Sequence, residues 1–176
     1  HRIARRQRQM CIRDSYESEP LYIQAIVNSI NNKLSSINWK PDLILASYHG
    51  IPKKYFDKGD PYHCYCHKTS RLIKETFNKD IPILKTFQSR FGPQEWLQPY
   101  TDKTLESLPK EGKKNILVIS PGFSSDCVET LEEISIQGKE SFLESGGEKF
   151  DTIPCLNDNE DHIKLLVHLI NKSIRK

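Results

Sequence analysis

The sequence predicts an α/β fold in three layers, with a four-stranded parallel sheet between two layers of helices. The first observation is a set of short apolar runs, such as Ile116-Leu117-Val118-Ile119, that are too short for helices and typical of buried strands. The second is that stretches with helical spacing of apolar residues separate these runs. Strands that alternate with helices imply right-handed crossovers, and therefore parallel pairing.

The first part of the chain supplies two strands and two helices. Apolar residues recur at helical spacing after Pro20, whose missing N–H costs little in the first turn of a helix. The first strand is apolar without alternation, which indicates burial on both faces. The predicted elements are a helix over 20–34, a strand over 42–48, a helix over 62–78 and a strand over 81–87.

The second part repeats the alternation after a proline-containing loop over 90–100. The last helix is amphipathic, and five of its apolar residues are expected to face the core. These are Ile163, Leu165, Leu166, Leu169 and Ile170. The predicted elements are a short helix over 101–108, a strand over 116–119, a helix from Asp126 to about Gly138, a shorter helix ending at Gly146-Gly147, a weaker strand over 149–153 and a helix over 158–175.

Charge divides the 176 residues unevenly. The chain has a net charge of +3, but residues 1–15 hold five arginines and one aspartate, which leaves −1 for residues 16–176. We therefore expect a basic leader over 1–15, either non-native or disordered, followed by one domain over 16–176. The domain lacks a basic face, so no nucleic-acid partner is predicted.

Five widely spaced cysteines, an odd number, favour a reduced, cytoplasmic setting over a disulfide framework. No apolar run reaches the eighteen or more residues that a membrane span requires. The sequence also lacks G-x-G-x-x-G and Walker patterns, which argues against a nucleotide cofactor.

Acidic residues follow the third strand. Ser124, Ser125 and Asp126 offer N-cap oxygens to a helix, on which Glu129 and Glu133 are i, i+4 neighbours. Open α/β sheets place their sites just past the carboxyl ends of parallel strands. The simpler interpretation is that acids in a first turn suit the helix dipole.

His49 comes directly after the first strand, with Gly50 beside it. The same edge of the sheet should receive Asp126 and Glu129 from the third strand. A histidine that faces carboxylates has a raised pKa and can accept a proton or share a cation with them.

The loop over 87–97 leaves the second strand toward that edge. Gln88, Ser89, Arg90 and Trp96 offer an amide, a hydroxyl, a guanidinium and an aromatic ring, which suit a flat, partly anionic ligand. Packing of Trp96 within the loop is an equally good interpretation. The run His63-Cys64-Tyr65-Cys66-His67 lacks a second ligand cluster at zinc-site spacing, so a solvated first helical turn is favoured over a tight metal site.

Taken together, these motifs resemble the ferrochelatase family, and its bacterial members in particular. Their order and spacing hold from about Tyr16 to Ile174 and match the carboxyl-terminal half of such enzymes, one of two Rossmann-like lobes. The motifs are Ser47-Tyr48-His49-Gly50-Ile51-Pro52, Gly59-Asp60-Pro61-Tyr62, Phe87-Gln88-Ser89-Arg90-Phe91-Gly92-Pro93 with Trp96-Leu97, and Ser124-Ser125-Asp126-Cys127-Val128-Glu129-Thr130-Leu131-Glu132-Glu133.

The resemblance implies a chelatase-like domain that inserts Fe²⁺ into protoporphyrin IX and releases two protons. It implies a catalytic role for His49, with Glu129, Asp126 and Glu133 forming a polar track, and metal contact at His49 and Glu129. It also implies porphyrin contacts from a second set of residues. These are Gln88, Ser89, Arg90, Trp96 and Phe123.

The implied substrates are Fe²⁺ and protoporphyrin IX, the implied partner is a missing amino-terminal lobe, and peripheral contact with the inner membrane is left open. Gln137 replaces an acid that many relatives carry, and no [2Fe–2S] cluster is expected because the cysteine-rich tail of some relatives is not seen. The alternatives are a coproporphyrin ferrochelatase, a cobalt chelatase, a non-catalytic porphyrin- or metal-binding module, and a flavodoxin-like domain with an empty crevice.

Overall fold

The structure, a computed structural model, describes residues 15–174 and confirms the predicted α/β fold. All four strands are parallel and lie in the order β2-β1-β3-β4. They are β1 (Leu43–His49), β2 (Ile83–Gln88), β3 (Asn115–Ile119) and β4 (Lys149–Ile153).

Helices cover both faces of this sheet. The α-helices are α1 (Pro20–Ser36), α2 (Lys53–Asp57), α3 (Tyr62–Phe77), α4 (Thr101–Ser107), α5 (Val128–Leu131), α6 (Lys139–Glu144) and α7 (Glu160–Ile174). A 3₁₀ turn (Leu108–Glu111) follows α4, and a π-helical segment (Glu133–Gly138) joins α5 to α6.

The two faces of the sheet carry separate cores. Ile44 and Leu117 contribute to a large apolar cluster with α1, α3 and α7, and we call this side the α1 face. Leu45 and Val118 contribute to a smaller cluster with residues of α4, the π segment and α6, and we call this side the α4 face. Successive side chains of a strand point to opposite faces, so continuous apolar runs serve both clusters, as the sequence predicts.

The strand order has its switch point between β1 and β3, the two central strands. In such sheets a crevice opens outside the carboxyl ends of the strands at this point. The register places His49 beside Gln88 and Ser47 beside Thr86, so the ends of β1 and β2 carry four polar residues into this region.

The helix predicted from Asp126 to Gly138 is not one regular α-helix. It begins at Val128, with Cys127 and not Ser124, Ser125 or Asp126 at the N-cap, and it widens into the π segment at Glu133. The hydroxyl of Ser135 donates to the carbonyl of Thr130 at 2.9 Å and so competes for an acceptor of the helical ladder.

The prediction for the last helix is wrong for three of its five inward residues. Leu165 is fully buried and Leu169 packs against the large cluster, but Ile163, Leu166 and Ile170 are exposed. The side of α7 opposite these three residues faces α1. Asp161 on that side accepts from Asn28 of α1, and Lys172 pairs with Glu19, the residue before α1.

The first turn of α3 is also less solvated than predicted. Cys66 is buried, which raises the pKa of its thiol to about 12, and the ring of His63 stacks on Phe87 with centroids 5.8 Å apart. Cys64 is exposed, so the two cysteines do point to different sides. Within the described range, no helix is both long and apolar enough to span a bilayer. Most of the proposed leader, residues 1–14, lies outside the described residues, so this boundary stays a prediction.

Candidate functional site

His49 is the last residue of β1 and is half-buried at the carboxyl edge of the sheet. Its Nδ1 lies 2.6 Å from the carbonyl oxygen of Gly50. A carbonyl only accepts hydrogen bonds, so Nδ1 carries the proton in the neutral ring. The lone pair of Nε2 is therefore available for a proton or a metal ion.

Two aromatic rings flank this imidazole. The Trp96 ring lies 6.5 Å from the His49 ring between centroids, and the Phe123 ring lies 6.1 Å from it, both tilted by 50°. Trp96 belongs to the loop after β2, and Phe123 follows β3, so the chain brings them from two sides. The two rings therefore place apolar surface on either side of one titratable group.

Gly50 holds the turn after β1 close to its neighbours. Its N–H donates to the carbonyl of Gln88 at 2.8 Å, and a Cβ at this position would lie 2.9 Å from that oxygen and 3.1 Å from Cε3 of Trp96. The loop is tied down again where Pro52 bridges to Trp96, and where Leu97 N–H donates to the Ile51 carbonyl at 3.0 Å. Trp96 is thus fixed by backbone pairing, and its indole N–H donates to the Phe91 carbonyl at 2.9 Å.

Tyr62 supports the same turn from α3. Its hydroxyl donates to the backbone carbonyl of His49 at 2.8 Å, and burial raises its pKa well above the usual value. Tyr62 had no role predicted from the sequence. The only signal for it was its position directly after the Gly59-Asp60-Pro61 turn.

A buried polar chain leads from the α4 face to the end of β2. Ser47 Oγ donates to Gln88 Oε1 at 2.7 Å and lies 2.9 Å from Thr101 Oγ1, which donates to Thr86 Oγ1 at 2.9 Å. All four residues are buried. Within the described residues every buried side-chain polar atom has a partner, so this network is satisfied.

Gln88 connects that network to the acidic helix. Its Nε2 donates to the backbone carbonyl of Glu129 at 2.7 Å and lies 3.4 Å from Glu133 Oε2. Glu133 also accepts the Ser89 N–H at 2.6 Å, and its other oxygen accepts the Ser89 hydroxyl. Ser89 has φ 63°, a left-handed conformation that is uncommon for serine and is found in many functional sites.

The Glu129 side chain lies at the open side of the site. Its own N–H and the Cys127 thiol lower its pKa, with a smaller contribution from the charge of His49. That His49 and Glu129 share one site stays a prediction.

Asp126 has a different environment. Its carboxylate accepts from Asn157 Nδ2 at 2.7 Å, from the Cys155 N–H at 3.1 Å and from Thr130 Oγ1 at 3.2 Å. Burial acts to raise the pKa of Asp126, but hydrogen bonds from Asn157 and Cys155 outweigh it and lower the pKa. Asp126 thereby joins the loop after β3 to the loop after β4, while Glu133 contacts the end of β2.

A cavity of about 280 Å³ lies behind the Gln88–Glu133 contact. Arg90 stands at its wall, where its guanidinium pairs with Asp102 at 2.8 Å and lies 4.6 Å from the Tyr100 ring centroid. Gln137 also lines this cavity, at the position where the resemblance led us to expect an acid. Asp126 lines a separate cavity of about 70 Å³.

The structure thus brings His49, Trp96 and Phe123 together, and separately joins Gln88, Ser89 and Glu133. Over residues 15–174, no group of three or more histidine, cysteine, aspartate or glutamate side chains is arranged to hold a metal ion. His63 and His67 approach each other at 3.2 Å between their Nε2 atoms, as a pair only. Phe91, which is 85% exposed beside the site, had no assigned role in the sequence analysis.

Known proteins resemble this chain along most of its length. A model of the ferrochelatase family matches residues 2–174. Ferrochelatases from Rhizobium meliloti (strain 1021), Allorhizobium ampelinum and Brucella anthropi are 56%, 55% and 52% identical over 160, 161 and 162 residues. These alignments cover 90%, 91% and 92% of this chain, but 47%, 47% and 46% of the relatives.

A parallel three-layer α/β domain with polar groups at its switch point belongs to the Rossmann-like class. The family match covers nearly the whole sequence, so this chain belongs to the ferrochelatase family. It spans about half the length of the curated relatives it matches, and its predicted correspondence to their carboxyl-terminal half is confirmed.

Proposed function

We propose that this chain forms one lobe of an enzyme that inserts Fe²⁺ into protoporphyrin IX. The reaction replaces two pyrrole protons by the metal ion and gives protohaem and two protons. Its chemical demands are a base for the protons, a polar route for charged species, and a surface that holds a flat macrocycle. Membership of the ferrochelatase family and the geometry around His49 both support this function.

The observation that carries the proposal is the orientation of His49. Nδ1 is occupied by the Gly50 carbonyl, so the lone pair of Nε2 is unshared, and the rings of Trp96 and Phe123 lie 6.5 Å and 6.1 Å from the imidazole between centroids. A neutral imidazole with one free nitrogen can accept a pyrrole proton or ligate the incoming Fe²⁺. The flanking rings supply apolar area against which a macrocycle can stack.

Carboxylates give the released protons or the metal ion a polar route. Glu129 lies on α5 after β3, and Glu133 lies one turn further along, hydrogen-bonded to Gln88 and Ser89. We propose that Glu129 and Glu133 form this route, and that Glu129 shares the metal ion with His49. Asp126 acts as a positioning residue beside this route, because its carboxylate already accepts hydrogen bonds from Asn157, Cys155 and Thr130.

The remaining predicted contacts suit the porphyrin. Trp96 and Phe123 present ring faces, and Ser89 and Arg90 lie on the loop that follows β2. Gln88 is buried, so we propose that it acts by holding Ser89 and the helix backbone in place. The exposed Phe91 extends the apolar surface of this loop.

A histidine substitution in the complete two-lobe enzyme tests the proposal. His49→Ala is expected to reduce insertion of Fe²⁺ or Zn²⁺ by about 10² or more, the usual contribution of a positioned acid–base group. Binding of protoporphyrin IX, followed by its Soret band, is expected to persist. His168→Ala is the matched control, since His168 is an exposed histidine on α7 that pairs with Glu19. Near-normal turnover by the His49 variant would refute the assignment.

We propose that the other half of the polypeptide supplies the opposing lobe of the porphyrin site, so this chain alone should insert metal poorly. Iron acts as substrate, and we expect no [2Fe–2S] cluster. Four described cysteines are free thiols, which supports a cytoplasmic setting. We assign any peripheral contact with the membrane to the complete enzyme.

A further inference from the structure

Helix α7 carries a contiguous apolar stripe that the described residues leave uncovered. Its five members are between 37% and 75% exposed, and they fall at positions i, i+3, i+4, i+7 and i+11. At about 100° per residue they occupy an arc of roughly 100° on one side of the helix. The members of this α7 stripe are Ile163, Leu166, Val167, Ile170 and Ile174.

The other side of α7 is the one that packs on this lobe. Leu165 is fully buried in the large cluster. Polar contacts mark the edges of this packing, since Asn28 donates to Asp161 at 2.8 Å and Lys172 pairs with Glu19 at 3.1 Å. These contacts join the start of α7 to the middle of α1, and the end of α7 to the residue before α1, so the two helices run antiparallel.

The helix is therefore apolar on two opposite sides. A helix at the surface of a single domain has one apolar side, whereas a helix that is apolar all round is buried in the complete protein. Scattered exposed apolar residues are ordinary on protein surfaces, but a contiguous patch marks a contact with another molecule or domain. Helix α7 therefore has the apolar pattern of a helix that is enclosed between two domains.

We propose that the other half of the ferrochelatase polypeptide packs on the α7 stripe. This inference rests on the proposed two-lobe enzyme, and its support is the length of the relatives, of which this chain spans 47%. Covalent linkage gives a neighbouring lobe a millimolar effective concentration, so a patch of five side chains can hold it. A stable dimer of separate chains needs about 800 Å² from each partner, far more than one helix stripe offers.

Site-resolved thiol labelling tests the proposal. Val167→Cys is labelled with a maleimide in this chain alone and in the complete polypeptide, and modification is followed by peptide mass spectrometry, which separates it from the native cysteines. The stripe is exposed in this chain alone, so labelling there should be fast. In the complete polypeptide it should be slower by roughly tenfold or more, because the thiol reacts only after local opening.

Leu143→Cys is the matched control, because Leu143 is an exposed leucine on α6, away from the stripe. It should be labelled at the same rate in both proteins. Equal rates at position 167, or equal protection at positions 143 and 167, would overturn the proposal. Labelling that slows when the concentration of this chain alone is raised would indicate a second copy instead. Protection that appears only with phosphatidylglycerol vesicles would indicate a membrane surface.

The labelling rate at position 167 is measured independently of metal insertion, so the two proposals can fail separately. If Val167→Cys is protected in a complete polypeptide that inserts no metal, the docking proposal stands and the proposed reaction fails. If the complete polypeptide inserts metal normally while position 167 stays fully reactive, the reaction stands and the docking proposal fails.

Discussion

The two faces of the sheet are built from the same strands but bury different chemistry. On the α1 face, the central strands contribute Ile44, Ala46 and Leu117 to a cluster of apolar side chains that continues into α1, α3 and α7. On the α4 face, the apolar cluster stops short of the carboxyl edge, where Ser47 and Gln88 begin a hydrogen-bonded network. The α1 face thus contributes mainly to stability, while the α4 face has hydrogen bonds in place of apolar packing near the site.

The difference shows how a small sheet positions a reactive edge. Dispersion and apolar burial on the α1 face are non-directional. They hold the strands together without hydrogen bonds that orient particular side chains. The hydrogen bonds of the α4 face have defined directions, and they fix Gln88, Ser89 and Glu133 relative to one another. Four substitutions test this difference between the two faces.

The largest effect is expected from Ile44→Ala on the α1 face. Ile44 is fully buried, so its loss removes apolar burial and leaves a cavity that should cost about 2–5 kcal/mol of the free energy of unfolding. Urea denaturation of this chain measures it. Leu84→Ala, at a 37% exposed residue of β2, is the control and should cost much less. Equal losses would show that the α1 face does not dominate stability.

Gly50→Ala should have the next largest effect, at the junction of both regions. The added Cβ would lie 2.9 Å from the Gln88 backbone oxygen, which cannot move away as a flexible side chain could. Overpacking of this kind costs about 1–3 kcal/mol, and it should displace His49 from Trp96. The measurements are denaturation and metal insertion by the complete enzyme. Gly122→Ala is the control, because its nearest new contact is an ordinary 3.4 Å; similar behaviour of both variants would contradict the prediction.

Ser47→Ala separates the roles of the two faces. It removes the donor to Gln88 Oε1 and leaves that buried amide oxygen unsatisfied, which should cost about 1–2 kcal/mol. We expect insertion by the complete enzyme to fall as well, since Gln88 can then turn away from Glu129. Ser36→Ala, at an exposed serine, should change neither quantity. Loss of stability without any loss of activity would mean that the network is only structural.

The smallest effect concerns pH. Folding lowers the pKa of Asp126, so the ionised carboxylate adds stability above its unfolded pKa, near 3.8, and that stability is lost as pH falls through the folded pKa. Asp126→Asn should therefore be less stable than the native chain at neutral pH, and the difference should shrink in acid. Urea midpoints between about pH 3 and pH 7 measure this. Asp80→Asn, at an exposed aspartate, is the control, and an equal acid response in both variants would contradict the prediction.

The fold was predictable because its signals are local. Runs such as residues 116–119 have no polar interruption, and helical spacing separates them, so strand alternation and parallel pairing follow from short windows of sequence. The approach of His49 to Phe123, which follows β3, is what parallel strands that end at one edge lead one to expect.

What could not be predicted depends on register and on distant partners. The contact of Ser47 with Thr101 requires the chain to return after a long loop, and the position of Asp126 is set by Asn157, 31 residues away. The π segment coincides with a side-chain hydrogen bond within the helix, from Ser135 to the Thr130 carbonyl, that periodicity does not report. The apolar pattern of α7 gave no way to tell which of its sides faces this lobe.

The hydrogen bond from His49 Nδ1 to Gly50 has a stoichiometric consequence for the proposed reaction. The ring presents one vacant nitrogen, whereas each macrocycle gives up two hydrogen ions. This ring can accept the second only after it has passed the first to the proposed carboxylate route. Turnover would then proceed through two successive deprotonations of the macrocycle. The rate at which the His49 imidazolium loses its proton would set the time between them.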